Sequence, residues 1–570
     1  MIRNMTGPTE LFSQQTHADK YRGPNEDFGE AMSRIAGAVK DDEDHYHKFR
    51  ETLLEMRFLP PGRVQAAMGA AKRVTAFNCF VMGNIQDNFV GRDGIMQRAT
   101  EAAQTMRMGG GVGYDFSRLR PRGDVISTLQ SASSGPVSFM KIFDSVCHCT
   151  ASSGNRRGAQ MAVLRVDHPD IEEFIHCKRN TNELTGFNIS VGVTDEFMEA
   201  VLRDDDFELV WGGRVYKTVR AKAIWEQIMR GTWDWAEPGV LFIDAINKMN
   251  NLYYCETIEA TNPCGEQPLP PYGACLLGSF NLPKYVQIDR TGVPKFMFKC
   301  LKDDIPHVLR AIDNVIDRSE YPMDDQRDEA KSKRRIGIGV TGLANALEIL
   351  GHPYGSEEFV SMQDKIMRLI RDELYMSSAL LAKEKGSFPL LDKKKYLAGS
   401  FIKTLPEPVR AAIRKHGIRN SHLTSIAPTG TISLCADNVS SGVEPVYSHS
   451  VQRVVQTLDG PITVDLTDYA VSEWDVKGKT TAEVTVDEHL AVFLKASELV
   501  DSAVSKTCNI GDDVSWDDFQ EVYFRAWRGG AKGCTTFRAA GKRMGIMKAT
   551  KPSEESSCEI DLATGRRNCE

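Results

Sequence analysis

The spacing of apolar and polar residues near the N-terminus is that of amphipathic helices. Apolar side chains recur every three or four positions over residues 28–39, which places them on one helical face. A second helical stretch, from about 45 to 56, ends before Pro60-Pro61-Gly62, a sequence that stops helices. Two histidines in that stretch, His45 and His47, are expected to be solvated. The pattern predicts a helical N-terminal region with little chemistry of its own.

Further along, the pattern alternates between strands and helices. Strands are predicted at residues 184–193, 207–216 and 239–243, and helices at 224–235 and 305–316. The pair Gly212-Gly213 marks a hairpin within the second of these strands. Alternation of this kind over several hundred residues indicates an α/β architecture with largely parallel strands.

Composition narrows the functional classes. The 570 residues are 41% hydrophobic and 26% charged, which is ordinary for a globular protein, and the length suggests more than one domain. A net charge of −7 provides no basic footprint for a nucleic-acid polymer. Because no apolar run reaches the length of a membrane span and the N-terminus lacks a secretory signal, we expect a cytoplasmic protein.

The cysteines do not form a recognisable scaffold. Thirteen of them in a chain of this length are too sparse for a disulfide framework, and an odd count favours mostly free thiols. No CxxC pair occurs, and Cys147-His148-Cys149 is too tightly spaced for zinc, so we interpret it as a helical segment and expect no metal site.

One loop combines groups that are typical of an active site. In the run 262–266 an amide, a thiol and a carboxylate alternate at Asn262, Cys264 and Glu266, and Cys275 follows shortly after. In an extended segment alternate residues share one side, and the surrounding prolines and glycines indicate an irregular loop. The residues alone leave two interpretations open, a catalytic loop or a buried structural cysteine beside two capping groups.

Other segments are also ambiguous when taken alone. Residues 77–82 are predicted to form a buried strand that carries the thiol of Cys79. The glycine-rich run 108–114 allows either a nucleotide or a neighbouring element to approach the backbone closely. Residues 337–342 match G-x-G-x-x-G, but a basic stretch precedes them instead of an apolar strand. We therefore reject a dinucleotide site there and expect close helix packing.

The loop at 262–266 closely resembles the finger loop of ribonucleotide reductases. Three further segments resemble the same family in the same order: Phe77-Asn78-Cys79-Phe80, the arginine- and glycine-containing run 154–160, and the run 427–433, Ala-Pro-Thr-Gly-Thr-Ile-Ser. The resemblance extends from about residue 58 to about residue 547 and is closest to the adenosylcobalamin-dependent (class II) branch.

The resemblance implies a particular fold. It is a ten-stranded α/β barrel of two five-stranded parallel halves, antiparallel to each other, with the finger loop at the centre. We expect a helical N-terminal region at 1–75 without the family's regulatory ATP-binding module. The barrel is expected at 76–547, and a flexible tail with cysteines at 548–570.

The resemblance also implies roles for the loop residues. Cys264 becomes a transient thiyl radical, Glu266 acts as general base and Asn262 orients the substrate. Cys79 and Cys275 supply two electrons and close as a disulfide. The reaction converts ribonucleoside di- or triphosphates to 2′-deoxyribonucleotides, the precursors of DNA, and makes the chain an oxidoreductase.

Binding residues are implied in the same way. Substrate binding falls on Asn78, Gly110, Gly111, Thr429, Gly430, Thr431, Ile432 and Ser433, with the phosphate at the last five. Effector and specificity residues are Asp87, Asn155, Arg156 and Arg157. Cys558 and Cys569 would form the tail pair that reduces the active-site disulfide, although they are much further apart than the family's usual pair.

The implied cofactor is adenosylcobalamin. In class I catalytic subunits a Tyr-Tyr pair near the C-terminus relays a radical from a separate subunit, but the corresponding stretch here, residues 534–538, reads Cys-Thr-Thr-Phe-Arg. The alternatives are a class I-like subunit that needs such a partner, and a non-catalytic nucleotide sensor, which would not need the thiols. Expected partners are a dNTP effector, a thioredoxin- or glutaredoxin-type reductant and a second copy in a homodimer.

Overall fold

A computed structural model describes residues 7–127, 130–150, 159–179, 183–457, 460–538 and 541, and two short strands at 559–560 and 567–568. The N-terminal elements are α1 (Leu11–Tyr21), α2 (Phe28–Val39), α3 (Glu43–Leu54), β1 (Phe58–Leu59) and α4 (Gly62–Ala67). Both predicted helices are confirmed, as α2 and α3. The sequence pattern did not predict α1.

Local chemistry explains where these helices begin. At the start of α2, the N–H of Glu30 donates to the Asp27 side chain, and the Glu30 side chain accepts from the N–H of Asp27. Asp42 caps α3 by accepting from the N–H of His45. The expectation of a solvated His45 is wrong: its ring is buried because it hydrogen-bonds the His307 carbonyl of a later helix.

The first half of the barrel follows. Its elements are β2 (Cys79–Val81), α5 (Ile95–Arg107), β3 (Gly111–Asp115), β4 (Val125–Ile126), β5 (Ser131–Ala132), α6 (Pro136–Cys149), β6 (Gln160–Arg165), α7 (Ile171–His176), β7 (Phe187–Val193), α8 (Asp195–Arg203), β8 (Asp206–Trp211), β9 (Arg214–Arg220), α9 (Ala221–Trp235) and β10 (Gly239–Phe242). The predicted buried strand at 77–82 corresponds to β2. The predicted hairpin at Gly212-Gly213 joins β8 to β9.

A short central segment precedes the second half. It contains α10 (Ile243–Met249), β11 (Ala260–Thr261) and β12 (Pro268–Leu269). The second half contains β13 (Ala274–Asn281), a 3-10 turn (Leu282–Tyr285), β14 (Val286–Ile288), β15 (Pro294–Phe296), α11 (Phe298–Arg318), α12 (Asp324–Lys333), β16 (Ile336–Thr341), α13 (Leu343–Ile349), α14 (Glu357–Lys385), α15 (Lys393–Ala398), α16 (Ser400–Lys403), α17 (Glu407–His416), α18 (Gly430–Leu434), β17 (Ser450–Thr457), β18 (Gly460–Thr467), α19 (Tyr469–Trp474), α20 (Val486–Leu499), β19 (Thr507–Ile510), α21 (Trp516–Arg528) and β20 (Gly533–Arg538), and β21 (Glu559–Ile560) and β22 (Arg567–Asn568) follow.

The strand pairing closes a ring. In the first half β2, β3, β6, β7 and β10 are consecutive parallel neighbours. In the second half β13 runs parallel to β16, bridges at Thr424 and Ile426 continue the sheet to Val504, and β19 runs parallel to β20. The two halves meet through the antiparallel pairs β13–β2 and β10–β20. The second half therefore has five strand positions among the described residues: β13, β16, the segment with Thr424 and Ile426, β19 together with Val504, and β20. With the five strands of the first half they make ten, which confirms the expected α/β barrel.

The N-terminal region is not separate from this sheet. Phe58 and Leu59 of β1 pair with Phe280 and Ser279 at the end of β13. The region therefore contributes an edge strand to the barrel wall as well as its helices. The domain boundaries expected at 75/76 and 547/548 stay predictions.

The hairpin β11–β12 passes through the middle of the ring. A Cβ atom added at Gly113 in β3 would lie 1.8 Å from the carbonyl oxygen of Thr261, so the strand can accommodate the hairpin only with glycine there. On the other side, a Cβ at Gly337 in β16 would lie 2.4 Å from Nε2 of Gln267. Most of the run 337–342 lies in β16, which is buried along its whole length. The expectation of helix packing there was wrong, because Gly337 makes room for the central loop and not for a helix.

No helix among the described residues is long and apolar enough to cross a membrane.

We expect Gly113→Ala to destabilise the protein, because a backbone carbonyl cannot rotate away from the added methyl group. Overpacking of this kind costs about 1–3 kcal/mol, and the melting temperature measured by circular dichroism should fall. Gly37→Ala is the control: Gly37 lies inside α2, an added Cβ there would meet only Tyr46 at 4.0 Å, and helix propensity predicts a gain of about 1 kcal/mol. An unchanged melting temperature for Gly113→Ala would contradict the packing described above.

Candidate active site

A cavity of about 1130 Å³ lies above the central loop. It exceeds the usual 300–1,000 Å³ or so of a site for one small ligand. The predicted substrate and catalytic residues that line it are Asn78, Cys79, Gly110, Gly111, Asn262, Cys264, Glu266, Thr429, Gly430, Thr431, Ile432 and Ser433. The structure therefore brings together residues that are separated by more than 350 positions in the sequence.

The loop at the tip of the hairpin is a tight turn. The N–H of Gly265 donates to the carbonyl of Asn262 at 3.1 Å, and the N–H of Asn262 donates to the carbonyl of Gln267 at 3.1 Å. The extended conformation assumed from the alternating pattern is thus wrong, although Asn262, Cys264 and Glu266 do line the same cavity. The turn exposes Cys264 and buries the other two side chains.

Asn262 and Glu266 are both held against Cys79. The amide Nδ2 of Asn262 donates to Sγ of Cys79 at 3.2 Å, and the Cys79 thiol donates to Oε1 of Glu266 at 3.6 Å. Oδ1 of Asn262 accepts from the N–H of Gln267 at 2.9 Å, which fixes the amide orientation. A thiol, an amide and a carboxyl are therefore in direct contact at the base of the cavity.

Cys79 and Cys275 are partners across the seam between the two barrel halves. They are opposite each other in the antiparallel register of β2 and β13, an arrangement that brings Cβ atoms to about 4.5–5.5 Å. Cys79, Cys264 and Cys275 are all thiols in this structure. Burial raises the pKa of Cys79 and of Cys275 well above the ordinary range, so both thiols are protonated at neutral pH.

Glu266 is a buried carboxyl group with an uncommitted oxygen. Its side chain is 2% exposed, and Oε2 has no hydrogen-bond partner among the described residues. Burial raises the pKa of Glu266 above its usual value, and hydrogen bonds from Asn262 and Cys79 act against that rise. An unpaired buried carboxyl oxygen at a cavity wall is suited to exchanging a proton with a bound hydroxyl.

The run 429–433 forms the start of the short helix α18. Its first intrahelical bond is from the N–H of Ser433 to the carbonyl of Thr429, at 2.9 Å, so the preceding amides are left for other partners. The Thr429 hydroxyl lies 2.9 Å from that of Thr341 and accepts from the N–H of Gly442 at 2.7 Å. The threonine side chain thus holds the turn in place, and the residues of the run line the cavity.

The opposite wall contains further polar groups. Asn78 lines the cavity with an Oδ1 that is buried and has no hydrogen-bond partner among the described residues. Gly111 lies against the central loop, because a Cβ there would be 3.1 Å from the Pro263 ring. Sequence reasoning missed Asn188, whose Nδ2 donates to the Pro263 carbonyl at 2.9 Å. An asparagine inside a largely apolar strand was the available signal.

A buried ion pair at the cavity was also missed. Nζ of Lys506 lies 2.7 Å from a carboxylate oxygen of Glu444, and both residues line the cavity. Their separation by 62 positions leaves no sequence signal for the pairing.

The remaining predicted residues lie elsewhere. Asp87 does not line the cavity, and its carboxylate instead accepts from the guanidinium of Arg120 at 2.6 Å. Cys275 is fully buried behind Cys79. Five of the predicted residues lie outside the described part of the chain: Asn155, Arg156, Arg157, Cys558 and Cys569.

The stretch compared with the class I tyrosine pair lies in β20. Thr535 lines the cavity, and the hydroxyl of Thr536 is 2.9 Å from that of Tyr523 on α21. Neither of the two threonines supplies the phenol that a tyrosine relay would need.

Comparisons with known proteins agree with this geometry. The family model described as "Ribonucleotide reductase, barrel domain" matches residues 77–537. A "Vitamin B12-dependent ribonucleoside-diphosphate reductase" from Mycobacterium tuberculosis (strain CDC 1551 / Oshkosh) is 33% identical over 97% of this chain and 82% of its own length. A protein of the same name from Thermoplasma acidophilum is 34% identical over 94% of this chain and 71% of its own length. A "Vitamin B12-dependent ribonucleotide reductase" from Rhodopirellula baltica is 27% identical over 84% of this chain and 54% of its own length.

The family model matches most of the chain, and two relatives that the chain largely covers are about one-third identical to it. The structure has the corresponding barrel, and its central loop presents Cys264 to the cavity. This chain belongs to the ribonucleotide reductase family.

Proposed function

We propose that this chain is a cobalamin-dependent reductase that converts ribonucleotides to 2′-deoxyribonucleotides. The observation that carries the proposal is the convergence of Cys264, Cys79, Asn262 and Glu266 on one cavity, with Cys275 directly behind Cys79. The names of the relatives from M. tuberculosis and T. acidophilum support the cofactor and favour a diphosphate as the substrate.

The proposed chemistry assigns one task to each group. Cys264, exposed at the tip of the loop, acts as a thiyl radical and takes the 3′-hydrogen of the substrate. Glu266 accepts the proton of the 3′-hydroxyl through its uncommitted Oε2. Asn262 orients the substrate and holds Cys79 beside it. The 2′-hydroxyl leaves as water.

Two electrons and two protons come from the dithiol. Cys79 and Cys275 each give up a hydrogen, and their sulfurs join in a disulfide as the 2′-carbon is reduced. Cys264 then returns hydrogen to the 3′-carbon and regains its radical. The overall change is one ribonucleotide and one dithiol to one deoxyribonucleotide, one disulfide and water.

The substrate phosphate is assigned to the backbone amides of residues 430–432. These amides precede the first intrahelical hydrogen bond and belong to residues that line the cavity, which supports them as donors to an anion. Across the cavity, Asn78 offers an unpaired buried Oδ1 to the nucleoside.

The cavity extends beyond the residues assigned to the nucleotide. Its volume of about 1130 Å³ exceeds one small-ligand site, and the exposed Cys264 faces it. We place adenosylcobalamin at the mouth, where the lining includes Ser448 and the ring of Tyr447, which is 80% exposed and suited to an apolar ligand face. When bound, the cofactor supplies the radical that oxidises Cys264.

The class I-like alternative is not favoured. Thr535 and Thr536 replace the phenols that a radical from a separate subunit would need, and two of the relatives covering most of this chain are named as dependent on vitamin B12.

The further partners are part of the same proposal. Effector binding is assigned to Asp87 and to residues 155–157, a thioredoxin- or glutaredoxin-type protein is assigned as reductant, and the working form is a homodimer. The tail role of Cys558 and Cys569 and the cytoplasmic location stay predictions.

The first expected outcome concerns the radical source. The purified chain alone, under anaerobic conditions with adenosylcobalamin, a dithiol and an effector dNTP, should form dCDP from CDP. Replacing CDP by CTP in a parallel assay measures the preference for phosphorylation state. Nucleotide binding without product in either assay would instead indicate a missing radical-generating subunit.

Cys264→Ser should reduce turnover to background and leave nucleotide binding unchanged, because serine cannot form the thiyl radical. Equilibrium dialysis with labelled CDP and the turnover assay measure the two properties. Cys255→Ser is the matched control, since Cys255 is exposed and does not line the cavity. Deoxynucleotide formation by Cys264→Ser would refute the assigned mechanism.

The rate of deoxynucleotide formation should fall at acid pH, because Glu266 becomes protonated there. Burial raises the pKa of this carboxyl above its ordinary value of 4.5, so the base becomes protonated, and the rate is lost, as pH decreases through that raised value. Single-turnover rates across pH should show the fall in the wild type. Glu266→Gln should remove it and lower the rate by about 10²–10⁴-fold. Glu259→Gln, which changes an ion pair with Arg118 outside the cavity, should retain the fall.

A further inference from the structure

A cluster of buried charges lies beneath the dithiol and has no role in the chemistry above. Arg335 donates through Nη2 to Oε1 of Glu256 at 2.6 Å, and the other oxygen of Glu256 is 2.8 Å from Nζ of Lys333. Lys333 also contacts Glu329 at 2.7 Å. Arg335 is 1% exposed, so its charge is held deep inside the barrel.

The strand register places Arg335 beside Cys275. Leu276 of β13 pairs with Ile336 of β16 in parallel register, and Cys275 and Arg335 are the residues that immediately precede this pair. Paired positions on neighbouring strands point to the same face of a sheet, so the two side chains leave their strands side by side, and the charge of Arg335 acts on the Cys275 thiol. Nε of Arg335 is buried and has no hydrogen-bond partner among the described residues.

The two sulfurs of the dithiol therefore have different electrostatic surroundings. Burial raises the pKa of both thiols. Next to Cys275 the charge of Arg335 acts in the opposite direction, while the carboxylates of Asp501, Glu266 and Glu329 act in the same direction as burial. At Cys79 the strongest neighbouring charge is the carboxylate of Glu266, which raises the pKa of that thiol further. Arg335 is thus a cation placed where it can stabilise a thiolate on Cys275.

The two sulfurs also differ in how accessible they are from the cavity. Cys79 lines the cavity, whereas Cys275 is 0% exposed and does not line it. Thiol–disulfide exchange needs the incoming sulfur on one side of the bond and the leaving sulfur on the other, and it is faster when the leaving thiol has the lower pKa. A reductant that enters through the cavity would reach Cys79, with Cys275 on the far side.

We infer that the Cys79–Cys275 disulfide is reduced in one direction only, by attack on Cys79 with Cys275 as the leaving thiolate, and that Arg335 is the positioning residue that stabilises this leaving group. The inference rests on the proposed function, because it takes the disulfide of that mechanism as its substrate.

The step balances with a thiol reductant. An incoming thiolate gives its electron pair to form a new S–S bond with Cys79, and the electrons of the old bond leave on Cys275. A second thiolate then attacks the mixed disulfide and releases Cys79. Each cysteine thiolate finally takes one proton from water, and the reductant is left as a disulfide.

The direction of attack can be read out chemically on the unmodified chain. Diamide is used to form the disulfide without turnover, and peptide mass spectrometry identifies the Cys79–Cys275 bond. The protein is then exposed briefly to 2-mercaptoethanol, quenched in acid, unfolded and alkylated with N-ethylmaleimide. We expect the mercaptoethanol adduct on Cys79 and the maleimide on Cys275, in at least tenfold excess over the reverse.

Each result has a separate meaning. An adduct mainly on Cys275, or equally on both sulfurs, overturns the inference and leaves the proposed function intact. Failure of diamide to form this disulfide at all counts against the dithiol of the proposed function itself.

The role of Arg335 is tested in a charge-matched background. Arg335→Gln is combined with Glu256→Gln, so that no carboxylate is left buried without its partner. Reduction of the preformed disulfide by dithiothreitol should slow about tenfold, and the tenfold preference for attack at Cys79 should decrease. The yield of deoxynucleotide in a single turnover by the prereduced variant should not change.

Arg334→Gln is the matched control. Arg334 is equally buried and is the neighbouring residue in the chain, but it pairs with Asp313 and Asp317 on another side. This variant should reduce its disulfide at the wild-type rate, and Arg335→Lys should recover most of that rate. A purely structural Arg335 would change stability and leave the sulfur preference at the wild-type value, which would overturn its assigned role.

Discussion

The arrangement depends on one steric constraint, the passage of a hairpin through the centre of a closed ring of strands. The barrel admits the hairpin because Gly113 provides no side chain where the Thr261 carbonyl passes. Once the hairpin is in place, the turn at its tip presents Cys264 to the cavity and holds Asn262 and Glu266 against Cys79. The chemistry therefore depends on an absent methyl group more than 140 positions away from the loop.

Burial is the second organising factor. It keeps the dithiol protonated and raises the pKa of the Glu266 carboxyl above its ordinary value. It also makes each polar group in the barrel costly unless it is paired. Among the unpaired buried atoms, Oδ1 of Asn78 and Oε2 of Glu266 belong to residues that line the cavity, where a bound ligand can pair with them.

The sequence predicted some of this structure and not the rest, for physical reasons. Helical periodicity predicted α2 and α3, and alternation with glycine predicted the β8–β9 hairpin, because these signals are local. The ring closure was expected only from resemblance, since pairing such as Ile426 with Val504 depends on distant residues. The extended form of the central loop was wrong, because a hydrogen bond from Gly265 to Asn262 turns the chain. Asn188 and Arg335 were not singled out, because their roles come from contacts far apart in sequence.

The placement of the dithiol has a mechanical consequence. The two half-barrels meet along two antiparallel junctions, β13–β2 and β10–β20, and each of these consists of only two residue pairs. Cys275 and Cys79 are one of the pairs in the first junction. A bond between their sulfurs would join the halves covalently on that side, while the other junction would be held by its backbone pairs and packing. Each catalytic cycle would therefore form and break a covalent link across the seam between the two half-barrels.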